Sequence, residues 1–376
     1  MIIGIDASNI SSGGGLTHLI SLLNEVDNKD GVLIKIWASN LTLSKVKDSF
    51  LIEKFSNIYL NKNLFYRFFF QMFLLKKELE KSNCDVLFVP GGTYLGNFKP
   101  FITMCRNMLP FEKRESDRYK YSLMYFKLIL LQKLQLKTFK KADGIIFLTA
   151  YAKSIIQKFI PEKIISEEKY PIISHGVNKK FFLRKKTSIT ELNKSKLIKC
   201  VYTSTIDKYK HQENIINAIA NLRKKNFQLQ LHLIGHSNDL ELKILNNLIN
   251  KKDPKKQFIF YEGSLSVDQI IKIYENTDLF IYGSTCENLP NILLEKMATK
   301  IPILSSNKEP MKEVLKDGGL YFDAESIDSI EKSIIYALKF KEKLINNTKI
   351  AHSLVYKLTW KRTAINTLNF LKVFIK

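Results

Sequence analysis

Two carboxylates define the chemistry this chain can do. Glu287 and Glu295 are separated by seven residues within residues 284–298, Ser-Thr-Cys-Glu-Asn-Leu-Pro-Asn-Ile-Leu-Leu-Glu-Lys-Met-Ala. The run before them, residues 278–282, reads as a short buried strand. Pro290 suits the first turn of a helix, where its missing N–H costs nothing. The pair therefore sits at the mouth of a strand–loop–helix unit, Glu287 in the loop and Glu295 inside the helix. Ligands of open α/β sheets bind beyond the carboxyl ends of the strands. A free helix N-terminus there attracts anions, and carboxylates beside it call for hydroxyl donors, which sugars supply. The bland alternative is a loop Glu and a solvated helix Glu. The preceding strand, the Pro-opened helix and the strand containing Pro302 favour the site.

Alternating elements position the pair. In the first half, residues 2–6, 32–37, 57–60, 85–89, 101–105, 144–149 and 170–174 read as strands. Residues 16–26, 64–75, 116–141 and 151–159 read as helices. In the second half, the strands are 197–203, 229–234, 258–261, 278–282, 302–305 and 320–322. Helices fall at 213–224, 240–251, 267–276, after Pro290, at 310–315 and from 326 onward. Such alternation implies an α/β chain with parallel sheets and right-handed crossovers, here two Rossmann-like domains. The basic stretch 179–196 reads as a linker. Gly13-Gly14-Gly15, in the loop after the first strand, lets backbone approach a ligand or simply turns the chain. It is not G-x-G-x-x-G, so no dinucleotide site is indicated. Arg106 and Asn107 follow a strand and either bind an anion or anchor their loop.

Glu287 and Glu295, the following Lys-Met-Ala, a short gap and Ile-Pro-Ile together resemble the signature of retaining glycosyltransferases of the GT-B fold, family 4 (group 1). The resemblance covers essentially the whole chain and is strongest over residues 201–323. It implies an acceptor-side domain, residues 1–178, onto which a C-terminal helix within 359–376 packs back. A nucleotide-sugar-binding domain, residues 179–358, then faces it across a cleft. The implied activity is hexosyl transfer from a nucleotide-sugar donor to a glycan or lipid-linked acceptor. Its setting would be bacterial surface polysaccharide or lipopolysaccharide synthesis, in the cytoplasm at the inner face of the membrane.

The resemblance also assigns roles. Glu295 accepts hydrogen bonds from the ribose and Glu287 contacts donor-sugar hydroxyls. Lys210 holds the diphosphate, while the family's Arg position falls at Thr205. Arg106 is a further catalytic cation for donor phosphate or acceptor, and Gly14 and Gly15, matching a family loop near the donor phosphates or the acceptor, join the donor-binding residues. Gly263 lines the base pocket. Asn288-Leu289-Pro290 replaces the usual Gly-Phe-Gly and, with Asn291, completes the donor-binding set. His175, in His-Gly-Val-Asn, sits at the hinge. The leaving phosphate takes the acceptor proton on the same face, so the protein supplies positioning and charge. No Asp-x-Asp occurs, and no metal or other cofactor is expected. A nucleotide-sugar epimerase or a phosphorylase is the alternative within the fold, although no cofactor lysine site for a phosphorylase is identifiable.

Composition narrows the other classes. Net charge is +23, with 59 Lys and Arg. Only seven are Arg, leaving 52 Lys. Base recognition leans on the Arg fork, and no aromatic–basic motif is present, so a nucleic-acid partner is not expected. The excess Lys suits nucleotide diphosphates and anionic membrane surfaces. Four scattered cysteines give no disulfide or zinc framework. No run of about 20 apolar residues predicts a spanning helix, and residues 1–6 lack the features of a signal peptide. The aromatic run 64–75, read at helical spacing with Arg67 and Gln71 as a narrow polar strip, is either a helix buried between strands or a face that meets lipid.

Overall fold

The apolar runs become two six-stranded parallel sheets. β1 (Ile2–Asp6), β2 (Leu33–Trp37), β3 (Ile52–Phe55), β4 (Val86–Val89), β5 (Phe101–Met104) and β6 (Gly144–Ile146) form the first, ordered β3-β2-β1-β4-β5-β6. β7 (Ile198–Thr203), β8 (Leu229–Ile234), β9 (Ile259–Gly263), β10 (Leu279–Tyr282), β11 (Ile303–Ser306) and β12 (Leu320–Phe322) form the second, ordered β12-β11-β10-β7-β8-β9. Read from the other edge, the second order repeats the first, strand for strand. Both are the dinucleotide-fold order 3-2-1-4-5-6. β4 and β10 are buried at every position, as strands covered on both faces must be.

This computed structural model describes residues 1–162, 168–183 and 196–375. The chain divides into two units, Met1–Gly176 with Leu358–Lys376, and Val177–Lys357. The C-terminal helix Trp360–Lys372 belongs to the first unit and packs on the helix Gly13–Leu23. The proposed linker 179–196 falls largely on residues 184–195, outside the described residues. The fold is GT-B.

Several local expectations are corrected. Residues 57–60 form a turn, because Asn57 Oδ1 accepts from Tyr59 and Leu60 N–H at 3.0 and 3.1 Å, an Asx turn that competes with the strand. The third strand lies earlier, at Ile52–Phe55. The glycine triplet opens the helix Gly13–Leu23 instead of preceding it. The long helix expected over 116–141 breaks at Tyr121, whose φ is +65°, and restarts as Leu123–Lys141 capped by Ser122. Residues 170–174 add only one isolated bridge, Ile172 beside Phe147. Pro290 caps the helix Asn291–Ala298 from just outside it.

Residues 64–75 contain a π-helical turn, Phe70–Leu74, between the α-helices Leu64–Phe69 and Leu75–Lys81. Gln71, expected on a polar strip, is buried inside that turn. Leu64, Phe65, Met72 and Phe73 are exposed, Phe65 by 74%, so the run is not buried between strands.

Candidate active site

The topological switch point of the second sheet lies between β7 and β10, the strands after which the order reverses. The loop after β7 carries Thr205 to Lys210, and the loop after β10 carries Ser284 to Pro290. Thr285 N–H donates to the Tyr209 carbonyl at 2.9 Å, tying the two loops together. Gly283 permits the approach, since a Cβ there would collide with Ile215 and crowd the Lys210 carbonyl.

Two predicted residues meet at this point. Lys210 Nζ forms an ion pair with Glu287 Oε1 and donates to Ser284 Oγ at 3.2 Å. Burial pulls the Lys210 pKa down, but Glu287, with Tyr202 and Cys286, acts in the opposite sense and the net shift is upward. Tyr282, which the sequence reading missed, donates its phenol to the same Glu287 oxygen at 2.6 Å. Tyr202 donates to the Lys210 carbonyl at 2.8 Å. The pair is thus anchored by two phenols from the switch-point strands. Tyr282 was readable only as a buried strand residue; nothing in the spacing marked its hydroxyl.

Glu295 is half-buried on the helix Asn291–Ala298, and no hydrogen bond or ion pair to it is formed among the described residues. Burial pushes its pKa up to about 8, with Lys296 acting in the opposite sense. An acceptor held without a donor is ready for ligand hydroxyls. Asn291 Oδ1 at the start of the same helix is likewise buried without a donor. Asn288 and Leu289 are buried in the preceding loop. Thr205 is exposed, so the position expected for a second cation presents a hydroxyl. Gly263 ends β9 with φ +69° and open space beside its Cα.

The remaining predicted residues belong to the first unit. Arg106 donates to the Gly14 and Gly15 carbonyls at 2.7 and 3.2 Å, and burial lowers its pKa to about 10. His175 is buried and stacks on Trp360 at 5.5 Å between centroids. Its ring also lies edge-on to His18, which burial, then Arg106 and His175, keep neutral by lowering its pKa. The first sheet has its own switch point, between β1 and β4. There Gln71 donates to Asp6 Oδ2 at 2.5 Å, Ser8 Oγ at 3.1 Å and the Thr93 carbonyl at 3.3 Å. A π-turn is a common device at functional sites, and here it delivers Gln71 to both loops.

Among the described residues, no group of three or more His, Cys, Asp or Glu could hold a metal ion. No helix among them is long and apolar enough to cross a membrane.

Sequence and fold comparisons place this architecture. Residues 184–351 match the family described as glycosyl transferases group 1. O-antigen chain mannosyltransferase B of Escherichia coli is 24% identical over 123 residues, 33% of this chain and 32% of that protein. The match thus spans about a third of the curated relative. Sucrose-phosphate synthase from Thermosynechococcus elongatus superposes with a TM-score of 0.78 at 14% identity, covering 99% of this chain and 98% of that one. Anabaena HepE in complex with UDP and glucose gives 0.67 at 14% identity, covering 98% of each chain.

Proposed function

We propose that the protein is a retaining glycosyltransferase that moves a hexosyl group from a nucleotide-sugar donor to a glycan or lipid-linked acceptor. The carrying observation is the Lys210–Glu287 pair at a switch point, with unpartnered Glu295 on the adjoining helix, inside a group 1 domain. Glu295 accepts from the ribose hydroxyls. Lys210 faces the diphosphate and Glu287 the sugar, so donor binding loosens their ion pair. In the transfer, the bond from the anomeric carbon to the diphosphate oxygen breaks as the acceptor oxygen attacks the same face. The acceptor's proton passes to the leaving phosphate. Lys210 offsets the charge that develops there, and the reading needs no metal or other cofactor. With Thr205 in place of a second cation, backbone N–H groups at the helix start near Pro290 share the diphosphate charge. Gly14 and Gly15, held by Arg106, line the loop that meets the donor phosphates or the acceptor.

The relation to an O-antigen mannosyltransferase supports a role in bacterial surface polysaccharide synthesis. Exposed aromatic residues of the first unit support a peripheral position on the inner membrane face. The helices Leu64–Phe69 and Leu123–Lys141 follow β3 and β5, so both start at the carboxyl edge of the first sheet. Phe65, Tyr121, Leu123 and Phe126 are exposed at these starts, Tyr121 by 99%, among Lys62, Lys120 and Lys127. Apolar rings flanked by lysines suit an anionic interface.

Incubation with a panel of labelled nucleotide sugars and a lipid-linked acceptor tests the activity. Transfer with retained anomeric configuration supports the reading. Epimerised donor or phosphorolysis without transfer would replace it.

A further inference from the structure

The helix Asn291–Ala298 carries a second ionisable residue, Lys296, beside Glu295. Its side chain is fully buried. Its Nζ donates to the Ile281 carbonyl at 3.1 Å. It lies 5.4, 5.1 and 5.2 Å from the ring centroids of Tyr202, Phe280 and Tyr282. Among the described residues no carboxylate lies within ion-pair distance of it. The neighbouring Glu295 is adjacent in sequence, and successive helix residues do not face each other.

Packing does not call for an amine here. A buried amine with one hydrogen-bond acceptor is costly, and an unbranched apolar side chain would fill the same space without that cost. The rings around it are informative. Tyr282 is the phenol that holds Glu287, and Tyr202 is the phenol that holds the Lys210 carbonyl. Their rings meet edge to face at 6.0 Å. The same amine therefore contacts both anchors of the ion pair, and sits one residue from the free carboxylate.

We propose that Lys296 is a positioning residue of the donor site: from within the core it fixes the Tyr202 and Tyr282 rings that anchor Lys210 and Glu287, and it sets the charge beside Glu295. The proposal rests on the reading of this site as the donor site. An amine N–H is drawn to a ring face whether or not the nitrogen is charged, so Lys296, set by both rings, orients the phenols without reaching the ligand. The charged and titratable groups near it are Tyr202 on β7, Tyr282 on β10, Lys210 in the loop after β7, and Glu295. Burial holds its pKa well below the ordinary lysine value, with Glu295 opposing and Lys210 adding to the shift. Its effect on Glu295 is the electrostatic half of the role.

Lys296→Met separates this role from packing. The variant is expected to unfold at the wild-type temperature or above, yet to turn over the nucleotide sugar at least about tenfold more slowly, the order of one lost charge-assisted contact. Tyr282→Phe keeps the ring and removes the hydroxyl. If Lys296 acts through Tyr282, the double variant loses no more than the worse single one. A carbon-13 NMR titration of the ligand-free protein, with Glu295 assigned by its loss in Glu295→Gln, supplies a readout that needs no substrate. Lys296→Met should displace the Glu295 midpoint upward from about 8. Failure of the wild type to bind any nucleoside diphosphate would sink the donor-site reading, while the titration still judges Lys296. An unmoved Glu295 midpoint, multiplicative losses in the double variant, or a misfolded Lys296→Met protein would each overturn the positioning role.

Discussion

The two units share one strand order but put different chemistry at the point where it reverses. In the second unit the loops after β7 and β10 bring together an ammonium, a carboxylate and two phenols. In the first unit the loops after β1 and β4 are joined by a neutral amide, Gln71, working on Asp6, Ser8 and a backbone carbonyl. Asp6 is the one carboxyl in that network, and its pKa is raised, chiefly by burial, against the hydrogen bonds from Ser8 and Gln71. Topology thus fixes where a ligand can sit, and side chains decide which ligand. A balanced pair of charges that can be opened suits a diphosphate and its sugar. A closed amide network holds loops in place.

The largest expected effect is from Lys210→Ala. It strands the Glu287 carboxylate in a mostly buried site, and losing one partner of a buried pair costs roughly 3–5 kcal/mol. Thermal unfolding should shift down clearly, and affinity for nucleoside diphosphates should fall with it. Adding Glu287→Gln should recover much of the stability but none of the turnover. A double variant that regains activity would mean that another cation holds the phosphates.

Glu295→Gln comes next. It should weaken binding of UDP or GDP roughly tenfold to a hundredfold, the worth of a hydrogen bond to a charged acceptor, while raising the unfolding temperature of the ligand-free protein at neutral pH, because Gln removes the cost of burying an ionisable carboxyl. The pH dependence has a definite sign. Glu295 in the folded protein titrates near 8 against an ordinary 4.5, so folding favours its neutral form. The ligand-free protein should therefore lose stability as pH rises from about 4.5 to about 8. Ribose hydroxyls need the carboxylate, so nucleotide affinity should rise over pH 7–9 and flatten in Glu295→Gln. Affinity that falls across that window would contradict the assignment.

In the first unit, Gln71→Leu should cost roughly 1–3 kcal/mol of stability by leaving Asp6 short of a donor, while nucleotide binding stays as in the wild type. Equal damage to nucleotide binding would erase the contrast between the switch points. The smallest effect concerns the exposed aromatic residues. Phe65→Ser with Phe126→Ser should reduce co-sedimentation with anionic vesicles without altering turnover of a soluble acceptor. Binding in the wild type should weaken with salt, as screening over about 8 Å requires. Indifference to vesicle charge would count against membrane docking.

Much of this was legible in the sequence. The strand–helix alternation gave two Rossmann-like domains, the glutamate pair stood out by type and spacing, and the resemblance to family 4 supplied the GT-B fold and Lys210. What escaped was long-range. Tyr202 and Tyr282 read as core aromatics, because the destination of a phenol depends on a loop beyond its own strand. Lys296 read as part of a motif, since nothing local shows that a helix lysine points into the core. Gln71 was placed on a polar strip by assuming a 3.6-residue period that the π-turn breaks. Residues 57–60 were mistaken for a strand because an Asx turn by Asn57 outweighs the β-propensity of Ile58 and Tyr59.

Calorimetry of UDP and GDP binding to the wild type, Glu295→Gln and Glu287→Gln, set beside turnover of the matching nucleotide sugar, tests the central claim most directly. The account predicts that Glu295→Gln weakens nucleoside diphosphate binding roughly tenfold or more. Glu287→Gln should leave that binding near wild type while turnover collapses, because its hydroxyl partners lie on the sugar. Weakened diphosphate binding in Glu287→Gln with none in Glu295→Gln would reverse the two roles. If both variants bind and turn over like the wild type, the switch point of the second unit is not the donor site.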